Sequence, residues 1–264
     1  MDLQLQGQHV LITGGSKGIG LACARGFLQE GACVSLVSRQ DAHLQHASQV
    51  LLAEFTQAKV FTYAADLTQP DQALAALDAA EHTWGPVQVL VNSAGAAKRT
   101  PVDELTPQAW ADAMQAKYFS YIHMMDPTIK RMAKRGNGSV VNIVGNGGKV
   151  ASPTHLAGGA ANAALMLATS GLAHAYASQG VRVNAINPGL TLTDRLKAGF
   201  EAEARMRGLS VEQVMQQSID KLPMKRIAEP HEVANAVVFL ASAKASYITG
   251  ACLSLEGALT PTVV

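Results

Sequence analysis

The strongest constraint on the fold is a rhythm, in which short apolar runs alternate with longer stretches of helical periodicity along the whole chain. HVLIT (9–13), CVSLVSR (33–39), VFTYAAD (60–66), VQVLVNSAG (87–95), SVVNIVGN (139–146), VRVNAINPG (181–189) and CLSLEG (252–257) have strand length. Between them lie segments such as LACARGFLQEG, HLQHASQVLLAEF and the stretch from about Pro70 to His82, whose apolar residues recur at helical spacing. Strands separated by helices predict βαβ units, and so a parallel sheet with helices on both faces. Several of the runs are apolar throughout, as strands are when both faces are covered. The 264 residues contain no Pro/Ser-rich linker, repeat or low-complexity segment, which predicts one α/β domain over 1–264.

One segment breaks the rhythm. Residues 191–225 carry more charge and two helical patterns between the sixth and seventh strands, the second opening on Ser210 with Gln213 three residues on. An insertion after the carboxyl end of a strand lies on the ligand-binding side of such a sheet. It is expected to be a helical lid or substrate segment, with a surface hairpin or subunit contact as the plainer alternative.

The bulk numbers exclude more than they assign. A formal net charge of +1 offers no basic stripe for nucleic acid. Cys23, Cys33 and Cys252 are too few and too scattered for a disulfide framework or a metal site, and are expected to be buried thiols. No signal-like segment opens the chain, and no apolar run reaches the roughly 18 residues of a membrane span. The expectation is a cytoplasmic protein with no membrane and no nucleic-acid partner.

The first turn is the most specific local signal. Thr13-Gly14-Gly15-Ser16-Lys17-Gly18-Ile19-Gly20 follows a strand and opens a helix. Gly14 allows a tight turn, Gly18 lets the backbone approach a pyrophosphate, and Gly20 allows helix and strand to pack closely. A helix N-terminus then offers N–H groups to an anion. In this setting the pattern predicts nucleotide binding on a doubly wound seven-stranded sheet of Rossmann type.

That TGxxxGxG spacing, together with NSAG (92–95), ADL (65–67), VRVNAINPG (181–189) and SYITGACLSLEGA (246–258), resembles the short-chain dehydrogenase/reductase family over essentially the whole chain. The tail LPMKRIAEPHEVANAVVFLASAKASYITG is most similar to the β-ketoacyl reductase branch. The resemblance implies that Ser16 and Ile19 belong to the phosphate loop, that Asp66 and Leu67 contact adenine, and that Asn92, Ala94 and Gly95 line the adenine-ribose side. It also implies that Pro188, Gly189 and Thr193 hold the nicotinamide carboxamide. Members that select NAD carry an acid at the end of the second strand. Here that position is Ser38, followed by Arg39, with Lys17 in the glycine loop. Two cations and no acid suit a 2′-phosphate, so NADP(H) is expected over NAD(H).

The chemical end departs from the family. Its members use a Ser, a Tyr, a Lys four residues after the Tyr, and an Asn on the preceding helix to move the proton. Aligned on NAALMLATSGLA and VNAINPG, those positions fall on Gly145, Gly158, Asn162 and Lys117. Asn162 takes the place of the lysine that holds the nicotinamide ribose. Lys117, His155 and Asn146 are the candidate substitutes: an amine that could reach the vacated volume, an imidazole that titrates near neutrality, and an amide beside Gly145. Lys149 and Tyr118 lie near in sequence with less reason to point inward. Two glycines in place of larger residues predict an enlarged pocket.

Three readings follow: an NADP(H)-dependent oxidoreductase of a carbonyl or alcohol with a rebuilt site, an inactive nucleotide-binding pseudoenzyme, or non-redox chemistry in the enlarged pocket. The helix 158–178 is small or apolar on nearly every face, which predicts burial on several sides. In the family that helix packs in a dimer, usually within a tetramer, so a homotetramer or a dimer is implied.

Overall fold

A computed structural model describes residues 2–95 and 98–261. Seven strands, β1 (His9–Thr13), β2 (Cys33–Ser38), β3 (Val60–Ala64), β4 (Val89–Asn92), β5 (Gly138–Ile143), β6 (Val181–Pro188) and β7 (Cys252–Leu255), form one parallel sheet in the order β3-β2-β1-β4-β5-β6-β7. The order reverses between β1 and β4, so a crevice opens there above the carboxyl ends of the strands.

Period-two alternation sends successive side chains to opposite layers. Val10, Ile12, Val34, Leu36 and Val91 pack under α1 (Gly18–Gln29), α2 (Asp41–Glu54) and α9 (Pro230–Ala241). Leu11, Val37, Leu90, Val140 and Val183 pack under α3 (Pro70–Trp84), α5 (Ser120–Arg135) and α6 (Leu156–Tyr176). Helix ends follow local chemistry. Pro70 and Pro107 sit in the first turns of α3 and α4 (Pro107–Ala113), and Thr106 caps α4 by accepting from the Ala109 N–H. At the far edge Arg182 donates to the carbonyls of Leu240, Ala241, Ser242 and Ile248 and to Ser139 Oγ, closing the C-terminus of α9 over β6.

The 191–225 segment folds as α7 (Asp194–Arg207) and α8 (Val211–Asp220), and Ser210 and Gln213 close the predicted capping box. Phe200, Ala204, Val214, Leu222 and Ile227 give it a small core of its own, apart from the two sheet layers. Cys23 and Cys33 are buried and Cys252 half-buried, all three as thiols.

The structure corrects one expectation about α6. Its buried residues, among them Ala157, Ala161, Leu165, Thr169 and Ala173, lie on one face, while the other is open and leaves Leu167 77% exposed. Helix burial on several sides is therefore not a property of the single chain. With its short 3₁₀ extension, Leu156–Gln179 is also long and apolar enough to cross a membrane by length and composition, at a mean hydropathy of 1.3. Its inner face packs on β6 instead.

Candidate active site

The crevice holds a groove of about 320 Å³. Gly14 follows β1, Ser38 ends β2 and Arg39 follows it, Ala65 to Thr68 follow β3, and Ser93 to Gly95 follow β4, so these four parallel strands deliver their carboxyl ends to one groove. At Gly14 (φ +66°) a Cβ would stand 2.9 Å from the Ala94 backbone, and at Gly20 it would run into the Gly14 carbonyl. The cradle therefore has room for a ligand's backbone-hugging phosphates and none for side chains. Its walls fit a dinucleotide: a glycine turn at a helix N-terminus, an apolar Leu67, and Arg39 at one rim.

The predicted cofactor residues do not all face this groove. Ser38, Arg39, Asp66, Leu67, Ala94 and Gly95 line it. Asp66 Oδ1 accepts from the Thr68 N–H and hydroxyl, which fixes the turn after β3. Lys17 is exposed and lies 3.2 Å from His43 Nε2 on α2. Gly18 lies under Thr193, the N-cap of α7, and a Cβ there would meet the Thr193 methyl at 3.2 Å.

Asn92 differs from what its motif implies. It is fully buried, and its amide donates to Asn142 Oδ1 at 3.0 Å while accepting from the Thr13 hydroxyl at 3.4 Å. The Asn142 amide goes on to the Thr169 hydroxyl at 3.0 Å on α6. Thr13 Oγ1 accepts from the N–H groups of Ser93 and Ala94. The Asn92 side chain thus fastens the turn from beneath, and only its neighbours meet the groove.

Beside the groove lies a second, smaller cavity of about 80 Å³, lined by Gly95, Lys117, Val144, His155, Gly158, Asn162 and Arg195. Between α4 and α5 the helix loosens into a π-helical stretch, Met114–Phe119, a local widening that recurs at functional sites. It carries Lys117 inward to 8% exposure. Nζ donates to Tyr121 Oη at 2.8 Å and to the Ile143 carbonyl at the end of β5 at 2.9 Å, while the Tyr121 hydroxyl donates to the same carbonyl at 2.6 Å. Burial, with the Arg195 guanidinium adding its field, pulls the Lys117 ammonium from its usual 10.5 down to about 7.

His155 caps α6 and rests on Gly158, where a Cβ would run into the imidazole. The two glycines therefore do not enlarge the pocket, because the His155 ring takes up the space above one of them. Gly145 has φ +123°, a conformation a serine would hold only with strain, and its missing Cβ faces the Asn162 amide. His155 Nδ1 is buried with no hydrogen-bond partner among the described residues. Desolvation, then the fields of Arg99, Arg195 and Lys117, hold its pKa below the usual histidine value, so the ring is neutral near pH 7.

Lys117, His155 and Asn162 are brought together, and Asn146 is not. Its amide donates to Thr260 Oγ1 at 3.0 Å, on the C-terminal segment. Lys149 binds the Cys252 carbonyl and Ser254, and Tyr118 packs edge-on against Phe119. Sequence reasoning missed Tyr121, Arg99 and Arg195. Arg195 carried a signal: it stands in the first turn of α7, where the helix dipole disfavours a cation, and it borders both the groove and the cavity.

Residues 14–260 match the family model described as Enoyl-(Acyl carrier protein) reductase. The chain is 34% identical over 260 residues to 2-(S)-hydroxypropyl-CoM dehydrogenase 3 of Xanthobacter autotrophicus, covering 98% of this chain and 99% of that one. Among solved structures it is similar to L-sorbose reductase from Gluconobacter frateurii in complex with NADPH and L-sorbose (TM-score 0.94, 30% identity, all of both chains). It is also similar to an NADPH-bound short chain oxidoreductase from Pseudomonas aeruginosa containing an atypical catalytic center (TM-score 0.89, 31% identity, 97% of this chain and 98% of that one).

Proposed function

The chain belongs to the short-chain dehydrogenase/reductase family, and from that premise we propose that it is an NADP(H)-dependent oxidoreductase of a carbonyl or alcohol in which the Lys117 amine moves the proton. The observation that carries this reading is Lys117 itself: a buried amine titrating near 7, at a cavity adjoining the dinucleotide groove.

The groove would hold the cofactor along the Gly14–Gly20 turn, with Leu67 on the adenine side and Ser38 and Arg39 at the 2′-phosphate. The cofactor supplies hydride chemistry, and the protein supplies position and proton. As a neutral amine, Lys117 has two N–H bonds, one for Tyr121 Oη and one for the Ile143 carbonyl, which leaves its lone pair for the cavity. As an ammonium it has a third N–H at that same position. A group that titrates near the working pH can give a proton to a forming alkoxide and take one from an alcohol. His155 and Asn162 line the same cavity, and His155 Nδ1 has no hydrogen-bond partner among the described residues, which suits it to holding the substrate oxygen. Gly145, Gly158, Asn162 and Lys117 are read as standing at the family's Ser, Tyr, Lys and Asn positions, so the proton relay runs from the π-helical stretch before α5 rather than from α6.

The open outer face of α6, with Leu167 exposed at its centre, supports a homodimer or homotetramer built on this helix.

The test is NADPH oxidation and NADP⁺ reduction by the purified full chain across a panel of ketones, oxo acids and alcohols, with NADPH binding measured on the same sample. Turnover that falls at least about a hundredfold in Lys117→Met while NADPH still binds is expected for a lost proton donor. NADPH binding without turnover of any substrate would replace this reading with that of a pseudoenzyme.

A further inference from the structure

Lys117 has more chemistry open to it than proton transfer. Its Nζ is fixed on the wall of the small cavity by two hydrogen bonds, to Tyr121 Oη at 2.8 Å and to the Ile143 carbonyl at 2.9 Å. Both anchors are buried, and the Tyr121 hydroxyl gives its own hydrogen to the same carbonyl. Both are also neutral. Among the described residues no Asp or Glu lines the cavity, so no carboxylate stands there to keep the nitrogen as an ammonium. A lysine nitrogen that is neutral, desolvated and fixed in place is a nucleophile as well as a base.

The surroundings suit addition to a carbonyl carbon. The cavity, about 80 Å³, admits a few non-hydrogen atoms. Gly95 and Gly158 on its wall carry no side chain and Val144 is apolar, so none of the three competes for the adduct. His155 supplies what addition requires next. Its Nδ1 is buried with no hydrogen-bond partner among the described residues, and desolvation keeps the ring neutral near pH 7. A neutral imidazole can take a proton from the nitrogen of a first adduct and return it to the oxygen that leaves.

We propose that Lys117 condenses with small aldehydes and ketones in this cavity to form a Schiff base. The Nζ lone pair forms a bond to the carbonyl carbon, and the carbon–oxygen π pair moves onto oxygen. One nitrogen-bound proton passes through His155 to that oxygen, giving the carbinolamine. The second follows by the same route, the carbon–oxygen bond breaks, and water leaves as the carbon–nitrogen double bond closes. The amine and the carbonyl compound thus become an imine and water, with no change of oxidation state. Proton transfer in the oxidoreductase reading engages the oxygen of a carbonyl group, whereas condensation engages its carbon. Condensation needs neither dinucleotide nor hydride, so it stands or falls apart from that reading.

The experiment is reductive trapping on the full chain at pH 7, without nucleotide, using acetone and sodium cyanoborohydride. The reagent adds hydride to the carbon of the imine and leaves an isopropyl group on nitrogen. Mass-spectrometric peptide mapping then reads the labelling rate at each lysine. At pH 7 an amine titrating at about 7 is about half neutral, against fewer than about one in a thousand for an ordinary lysine. Lys117 is therefore expected to be labelled at least about tenfold faster than the other lysines. That advantage should shrink by close to tenfold per pH unit between pH 7 and pH 9, because the other lysines gain neutral amine and Lys117 has little left to gain. In concentrated urea it should vanish. His155→Leu is expected to slow labelling at Lys117 by about tenfold, with the other lysines unchanged and a thermal midpoint near wild type.

Labelling at Lys117 no faster than at the other lysines of the folded chain, or an advantage that persists in urea, would overturn the proposal. Wild-type labelling of Lys117 in His155→Leu would strike the imidazole from it. Reduction of a ketone by NADPH without trapping at Lys117 removes the condensation and leaves the oxidoreductase reading intact. Trapping at Lys117 with no turnover of any carbonyl or alcohol does the reverse.

Discussion

Replacing Lys117 by Met should remove activity and make the protein more stable. The folded state lowers the ammonium from 10.5 to about 7, and Lys117 is 8% exposed, so little solvent screening reduces the effect. At about 1.4 kcal/mol per pH unit, holding the lysine in place at pH 7 costs on the order of 4 kcal/mol against an unfolded chain in which it is fully charged. The sign follows from proton uptake. Between about 7 and 10.5 the unfolded chain binds a proton that the folded chain does not, so wild-type stability is lowest at and below about 7 and rises toward 10.5. From pH 7 to pH 9 the gain is about 2 kcal/mol.

Methionine has similar length and no charge. It leaves no orphan behind, because the Tyr121 hydroxyl still donates to the Ile143 carbonyl at 2.6 Å. Urea denaturation of both proteins at pH 7, 8 and 9 is the assay. Lys117→Met should be the more stable at pH 7 by about 2–4 kcal/mol, with the gap narrowing by roughly 1 kcal/mol per pH unit as pH rises. A variant that is less stable at every pH, or a gap that does not change with pH, would refute the claim that Lys117 is a destabilised amine and make it a structural clasp for Tyr121.

Three further outcomes can be checked on the same material. Reduction should slow as pH rises through about 7 while alcohol oxidation speeds up through the same value, because one direction needs the ammonium and the other the amine; initial rates in both directions across pH 5.5–9 test it on the order of the titration expected here. Gly158→Tyr should install no proton donor and should lower the thermal midpoint by several degrees, since its Cβ meets the His155 ring, and His155→Gly in the same chain should recover the loss. Arg39→Ala should weaken NADPH by about tenfold and leave NADH nearly unchanged, as binding titrations with the two nucleotides would show.

Much of the scaffold was legible because it depends on local pattern. The strand cores, the glycine turn, the two helices of 191–225 and the Ser210 capping box all follow from spacing within a dozen residues. What was not legible depends on contacts between distant segments. Asn92 sits in a motif that implies a cofactor contact, yet the residue opposite it on β5 is Asn142, and the pair bond to each other. Gly158 predicted a void because a glycine is small, but the ring of His155, one turn earlier, folds back over it. Asn146 looked central by proximity to Gly145, and the chain's own C-terminal tail took it up. Arg195 lies far from Lys117 in sequence, and only the fold of the insertion brings them to one cavity.

The buried polar row beneath the turn also bears on how the sheet is indexed. Thr13 stands opposite Asn92, and Asn92 opposite Asn142, on three adjacent parallel strands. Strands covered on both faces are apolar throughout, so sliding one by a residue exchanges one buried Val, Ile or Leu for another and meets little hydrophobic resistance. The row resists it. A one-residue slip of β4 would set Val91 or Ser93 against Thr13 and strand the Asn92 amide without partners in the core, at a cost of about 1–3 kcal/mol for each lost contact. Three polar side chains thus act as a key in an otherwise smooth keyway, and the turns that form the groove and the cavity are aligned because the strands beneath them can lock at only one setting.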